Sequence, residues 1–331
     1  MSVNKNSKVL VTEILSKNCY CLDRHGGLKD VDISIGANFT KTKDLIWIRL
    51  TPREVKPFFE KFLPDEPDFV KDSLSALETR PRVLVYKDAL LATFRGINLN
   101  KKSAPEDMIS VRLWMKDNII ISVQRRSLSS INNILDNLKQ GAGPVSSADF
   151  LEDLLAELID KTSETIKELD DQLDKIEDHI LSIKNADRIN LNVIRRRVIV
   201  LRRYLIPQRD AINRIPVDKI SWLDEKNLAH LREIADSCTR VVEYLNAEYE
   251  RANIIHEELF ALVQENINKK MYILSIVAII FMPLTFITGL LGINVNGIPG
   301  AGYKYAFLIV CLIIFIISCC QIVYFRIKKW L

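Results

Sequence analysis

Residues 271–291 read MYILSIVAIIFMPLTFITGLL, and residues 305–325 read YAFLIVCLIIFIISCCQIVYF. Each run has 21 residues and no charged side chain. At about 1.5 Å per helical residue, either run crosses a hydrocarbon layer of about 30 Å. Core helices of a globular protein would be shorter or would carry a charged stripe along one side. Both runs lie near the C-terminal end of the 331 residues, so neither reads as a cleaved secretory signal. The expected fold class is an α+β membrane protein with two C-terminal transmembrane helices, 269–291 and 305–325.

Orientation follows from the flanking charges. Lys269 and Lys270 precede the first span, and Arg326, Lys328 and Lys329 follow the second, whereas residues 292–304 carry only Lys304. Lysine and arginine hold loops on the cytoplasmic side. Both termini are therefore expected in the cytoplasm, with 292–304 as an extracytoplasmic loop and 326–331 as a basic cytoplasmic tail. The formal net charge of +4 adds little, and no nucleic-acid partner is expected.

Upstream of the spans the chain changes character once. Residues 82–86, 90–97, 109–115 and 119–124 are short runs rich in Val and Ile and read as strands, and Thr51, Pro52 and Glu54 form a helix start. This is a mixed α/β cytoplasmic domain over 1–145, closed by Gly141, Gly143 and Pro144. No glycine then occurs before Gly289, which predicts a long-helix stalk region over 146–268.

Three helices are expected there, at about 146–184, 187–214 and 223–291. The first repeats Thr162, Ile166, Leu169, Leu173, Ile176, Ile180 and Ile183 as a heptad seam. It is acidic, with twelve Asp or Glu against three Lys between Asp149 and Asp178, while the second carries Arg195, Arg196, Arg197, Arg202 and Arg203. Facing acidic and basic helices in a hairpin explain this pattern. So does an acidic surface that concentrates divalent cations near a pore. The third helix would run about 100 Å, of which the membrane needs about 30 Å.

Enzyme chemistry has no foothold. There is no GxxxxGK[ST] loop, no GxGxxG after a strand and no GxSxG, so neither a catalytic residue nor a cofactor is expected. The six cysteines form no CxxC pair and the four histidines are scattered, which removes an ordinary structural zinc site. Cys19 and Cys21 read as reduced cytosolic thiols, with a metal role as the alternative.

The first span does carry a pattern. Asn268, Met271, Ser275, Ala278, Met282, Thr285 and Gly289 recur at steps of three and four and share one face, opposite Ile273, Ile276, Ile280, Leu284, Ile287 and Leu291. Small and polar residues on one face mean close helix packing or contact with water in a pore. Two spans cannot enclose a conduit, so the pore reading requires a ring of subunits. In such a ring the C-terminal dipole ends of the first span, each about half a negative charge, converge at the outer mouth. There Gly292 lets the helix stop, and Asn294 offers neutral oxygen ligands that support a hydrated ion without trapping it.

The run from Phe281 through Gly292, Ile293 and Asn294 resembles the end of the first transmembrane helix in the CorA superfamily, whose signature is Gly-Met-Asn or a Gly-x-Asn variant. The loop residues Asn296, Gly297, Ile298, Pro299 and Gly300 are similar to the Gly-Gly-Ile-Pro-Gly loop of its ZntB-type zinc branch, with Asn296 in place of the first glycine. Glu78-Thr-Arg-Pro-Arg82, Gly141-Ala-Gly-Pro144, Arg202-Arg-Tyr-Leu-Ile-Pro-Gln-Arg-Asp210 and Lys329-Trp-Leu331 extend the likeness along the chain.

The resemblance implies a funnel-shaped homopentamer in the inner (plasma) membrane lipid bilayer. It implies a selectivity filter at Gly292, Ile293 and Asn294, with Asn294 holding the metal ion through its waters. Pore-lining positions fall on Asn268, Leu274, Met282 and Thr285, with Leu274 at the edge of the periodic face. The implied cargo is a divalent cation, Zn²⁺ first, with magnesium, cobalt or nickel as the alternative. A scaffold tethered by its hairpin is the remote alternative, and it has no use for the repeated face.

Overall fold

The computed structural model describes residues 18–29, 44–77, 79–178, 185–293, 298, 300 and 302–328, and for 185–189 it describes the backbone. By its internal contacts the chain forms two compact units, Met1–Ile255 and His256–Leu331.

The first unit is built on a seven-stranded sheet: β1 (Cys19–Leu22), β2 (Leu28–Lys29), β3 (Leu45–Leu50), β4 (Arg82–Tyr86), β5 (Ala89–Gly96), β6 (Ile109–Lys116) and β7 (Ile119–Gln124). Its order is β2-β1-β3-β7-β6-β5-β4, antiparallel throughout except for the β3–β7 pair. β3 reads Leu45-Ile-Trp-Ile-Arg-Leu50, and all but Arg49 are buried, as a strand covered on both faces requires.

Two short helices, α1 (Val55–Phe62) and α2 (Asp68–Ser75), supply Phe58, Phe59, Val70 and Leu74 to a core shared with Ile46, Ile48 and Ile121. The helix expected to start at Thr51 begins at Val55 instead. Glu54 reaches back to the Thr51 amide at 2.6 Å and hydroxyl at 2.8 Å, which makes the preceding residues a turn.

α3 (Ser129–Lys139) ends on Gly141, whose φ of +75° is the left-handed conformation that a helix terminus calls for. α4 (Ser147–Asp178) follows, with the Ser146 hydroxyl accepting the Asp149 amide at 3.0 Å. Its Phe150 ring meets Trp47 at 5.0 Å, and its Leu158 lies so near Gly96 that a Cβ there would stand 2.6 Å from a methyl group. α5 (Asn185–Arg214) contains Pro207, and α6 (Glu225–Leu291) contains Pro283. The seam on α4 is buried at Thr162, Ile166, Leu169, Leu173 and Ile176; Ile180 and Ile183 lie outside the described residues.

The acidic and basic helices do not neutralise each other. Among the described residues, none of the five α5 arginines has an α4 carboxylate as partner. Arg195 donates to Asn253 of α6 at 3.0 Å, Arg202 lies over Tyr249 of α6 at 4.2 Å, and Arg197 sits 3.5 Å from Glu106. The α4 carboxylates turn to Arg251 of α6, which reaches Asp170 at 2.7 Å and Asp174 at 2.5 Å and also pairs with Glu177. The facing-hairpin account is therefore corrected. An Arg in reach of amides, aromatic faces and single carboxylates is satisfied without a matching acidic helix.

In the second unit, the C-terminal part of α6 and α7 (Ala306–Ile327) are both long and apolar enough to cross a membrane.

Candidate functional site

α6 stays helical through its apolar segment although Pro283 has no N–H to return to the carbonyl of Ile279. Two hydroxyls of the apolar segment bond back to its own backbone: Ser275 to the carbonyl of Met271 at 2.9 Å, and Thr288 to that of Leu284 at 3.0 Å. The helix closes on Gly292, whose amide donates to the Thr288 carbonyl at 2.9 Å.

The two faces of this segment differ in cover. Ile276 is 8 % exposed, and Ile280, Leu284 and Ile287 below it are partly covered. On the other side Asn268, Met271, Leu274, Ser275, Ala278, Met282, Thr285 and Gly289 are all exposed, Met282 by 69 %. On α7 the covered positions Val310, Ile314, Ile317, Gln321 and Phe325 also follow a helical period. Each span thus has one covered stripe, and the small and polar residues of α6 are left outside it. A Cβ added at Gly289 would meet nothing within 4 Å. Among the described residues nothing requires its small size.

Of the expected filter, Gly292 and Ile293 follow the end of α6, and Asn294 lies outside the described residues. So do Asn296, Gly297 and Pro299 of the loop, while Ile298 and Gly300 help to line an apolar pocket of about 580 Å³ with Leu291, Tyr303 and Phe307. Tyr303 and Tyr305 precede α7 and Tyr324 stands at its other end, an arrangement suited to the two interfaces of a bilayer. Among the described residues no group of three or more His, Cys, Asp or Glu could hold a metal ion. Burial pushes the Cys19 thiol up to about 12, as it does Cys238, and raises Cys21 as well. A thiol is a ligand as its thiolate, so this burial argues against the metal role for Cys19 and Cys21.

Residues without a role at the level of sequence also acquire one. Gln208 of α5 is 1 % exposed, and its Oε1 accepts the Arg95 amide of β5 at 2.6 Å, beyond Thr93, which pairs with the first residue of β4. Tyr204, one turn earlier, lies under the Arg95 guanidinium at 4.1 Å. Both belong to the stretch 202–210, and their spacing of four was the available signal that they share a face.

The architecture, an α/β unit followed by long helices and two apolar C-terminal ones, now has counterparts. The family described as CorA-like Mg2+ transporter protein matches residues 43–329. The chain belongs to the CorA family. Within that family it is 35% identical over 317 residues, 95% of each chain, to the zinc transport protein ZntB of Pectobacterium carotovorum. It is 32% identical over 314 residues to ZntB of Yersinia pseudotuberculosis, covering 94% of this chain and 95% of the relative. Among solved structures, full-length CmaX superposes with a TM-score of 0.78 at 32% identity, over 95% of this chain and 97% of its own. The CorA magnesium transporter of Methanocaldococcus jannaschii shares the fold, with a TM-score of 0.77 at 17% identity over 95% and 99% of the two chains.

Proposed function

We propose that this CorA-family chain transports divalent cations, zinc first, across the inner membrane as a homopentamer whose α6 helices line the pore. One observation carries the reading: α6 leaves a continuous face of small and polar residues, Asn268 to Gly289, uncovered, while Ile276, Ile280, Leu284 and Ile287 of its aliphatic face are covered wholly or in part. A helix facing lipid on that side has no use for Asn268, Ser275, Thr285 and Gly289. Five such faces around an axis would enclose a water-lined path. The full-length likeness to ZntB proteins supports zinc over magnesium, cobalt or nickel.

In this reading Gly292, Ile293 and Asn294 form the outer selectivity ring, where neutral oxygens meet the waters of the ion and the negative ends of five helix dipoles add attraction. Residues 1–268 stand in the cytoplasm as the α/β domain (1–145) and the stalk (146–268), and 292–304 outside. The placement of Lys269, Lys270, Arg326 and Lys328 beside the spans supports this sidedness.

The test is uptake of Zn²⁺, Mg²⁺ and Ni²⁺ by purified protein in liposomes, with and without a pH gradient. Zinc flux above that of the other two ions is the expected result. A protein that assembles in the liposomes and carries none of them would end the transport reading, and equal or greater magnesium flux would end the zinc assignment.

A further inference from the structure

A crevice of about 380 Å³ lies between the sheet and α5, in the first unit of the chain. Arg95, Glu106, Asp107, Arg196, Val200 and Tyr204 line it. Val200 and Tyr204 follow Arg196 at steps of four on α5, so the three form one wall. Arg203, seven residues after Arg196, shares that side and stands 5.6 Å from the Tyr204 ring.

The charges around the crevice are unevenly matched. Asp107 is taken by Arg126, with contacts at 2.6 and 3.2 Å, and Glu106 lies 3.5 Å from Arg197. Arg95 has no carboxylate partner among the described residues. Its Nη1 and Nη2 are held by the carbonyls of Met108 and Thr79 at 3.0 and 2.9 Å, its plane lies on Tyr204, and its Nε is buried without a hydrogen bond. Burial lowers its pKa, which marks a guanidinium poorly served by solvent. Arg196 and Arg203 are exposed and likewise have no described carboxylate partner. Two cations, Arg95 and Arg196, therefore line the cavity and Arg203 flanks it on α5, while of its two acids Asp107 is hydrogen-bonded to Arg126 and Glu106 is only ion-paired with Arg197.

We propose that this crevice is a binding site for a small phosphate-bearing anion, held by Arg95, Arg196 and Arg203 with Tyr204 as its floor. Guanidinium groups match phosphate oxygens through paired N–H donors. Asp107 attracts Arg95 through space but spends its hydrogen bonds on Arg126, so an anion would add the contacts that Arg95 and Arg196 lack. The volume corresponds to roughly a dozen waters at about 30 Å³ each, more than a lone halide fills, and it sits at the lower end of small-ligand pockets. Occupancy would tie β5 to α5, the helix that touches α6 through Arg195 and Arg202. The site shares no residue with the proposed ion path and stands or falls independently of it.

The experiment is titration calorimetry of the full-length protein in detergent with pyrophosphate and, separately, with ADP, both in a chloride buffer. One saturable site per chain is expected for at least one of the two anions. The exposed-side double variant Arg196→Gln/Arg203→Gln should weaken it by at least about tenfold. Tighter ADP binding assigns the site to a phosphate ester, and tighter pyrophosphate binding assigns it to a free polyphosphate. Absence of saturable binding for both, or a double variant that binds as the parent does, overturns the proposal. Should the double variant fail to fold, Arg196→Glu alone is the second variant, and unchanged affinity there overturns it equally.

Discussion

The guanidinium of Arg251 on α6 lies 2.7 Å from the Asp170 carboxylate on α4, and the same group also pairs with Asp174 and Glu177. One cation thus serves three carboxylates spread over two turns of a neighbouring helix, with Glu248 close by.

Removing that cation should make the protein pH-sensitive. Burial, and after it Asp170, already raises the Glu248 pKa, while Arg251 lowers it. In Arg251→Gln the carboxylates repel one another unopposed and Glu248 rises further. An acid whose folded pKa lies above its unfolded value favours the folded state as pH falls. The variant should lose about 1 to 2 kcal/mol at pH 8, three partly exposed pairs in a network, and recover part of it near pH 5. Thermal unfolding at the two pH values reads this; a loss that grows on acidification contradicts it.

Gln208→Ala should cost about 1 to 3 kcal/mol, because it leaves the half-buried Arg95 amide without the acceptor that Gln208 supplies. Denaturant unfolding of the variant measures the cost. A change under a few tenths would mean that water replaces the lost oxygen.

Gly289→Leu separates packing within the chain from packing between chains. A Cβ at this position meets nothing among the described residues, and leucine is the better helix former. Helix content should hold while zinc uptake in liposomes falls to background. Unimpaired uptake would remove Gly289 from the pore face.

Asn294→Ala tests the proposed ring. It deletes one amide acceptor per subunit, and a fraction of a charge-assisted hydrogen bond repeated around an axis weakens ion capture by at least about tenfold. Assembly should survive, since the substitution falls beyond the helix end. Wild-type rate and selectivity in the assembled variant would exclude the filter.

Sidedness is open to labelling. In a background lacking the native cysteines, a cysteine at Ala301 should react with an impermeant thiol reagent from outside, and one at Ser163 should not. The reverse pattern inverts the proposed topology.

The periodic face of α6 was legible because helix geometry alone decides which of Asn268 to Gly289 share a side. Strands β4 to β7 were legible from runs of Val and Ile bounded by turns. β3 was not, although Leu45 to Leu50 is as apolar and as buried as β7, because its Leu, Trp and Arg residues interrupt the β-branched run by which Ile119 to Gln124 was read. The carboxylate partners of Arg251, and the Gln208 side chain that accepts the Arg95 amide, lie 74 to 113 residues away along the chain. Such pairings depend on how helices register against one another, which no local pattern encodes. The same gap explains why opposite charges on α4 and α5 suggested a mutual pairing that the packing does not make.

The β4–β5 turn places both Lys87 and Asp88 at positive φ, the geometry of a two-residue hairpin. Asp88 then accepts the Ser221 amide at 2.7 Å and the Ser221 hydroxyl, and its carbonyl accepts the Trp222 indole at 3.0 Å. A hairpin tip is ordinarily where a protein engineer would splice in an epitope or a fluorescent reporter. Here the tip is a fastener for the α5–α6 connection, so cargo inserted at 87–88 would unhook the connection it was meant to report on. The exposed residues Lys101 and Lys102 offer the safer point of insertion.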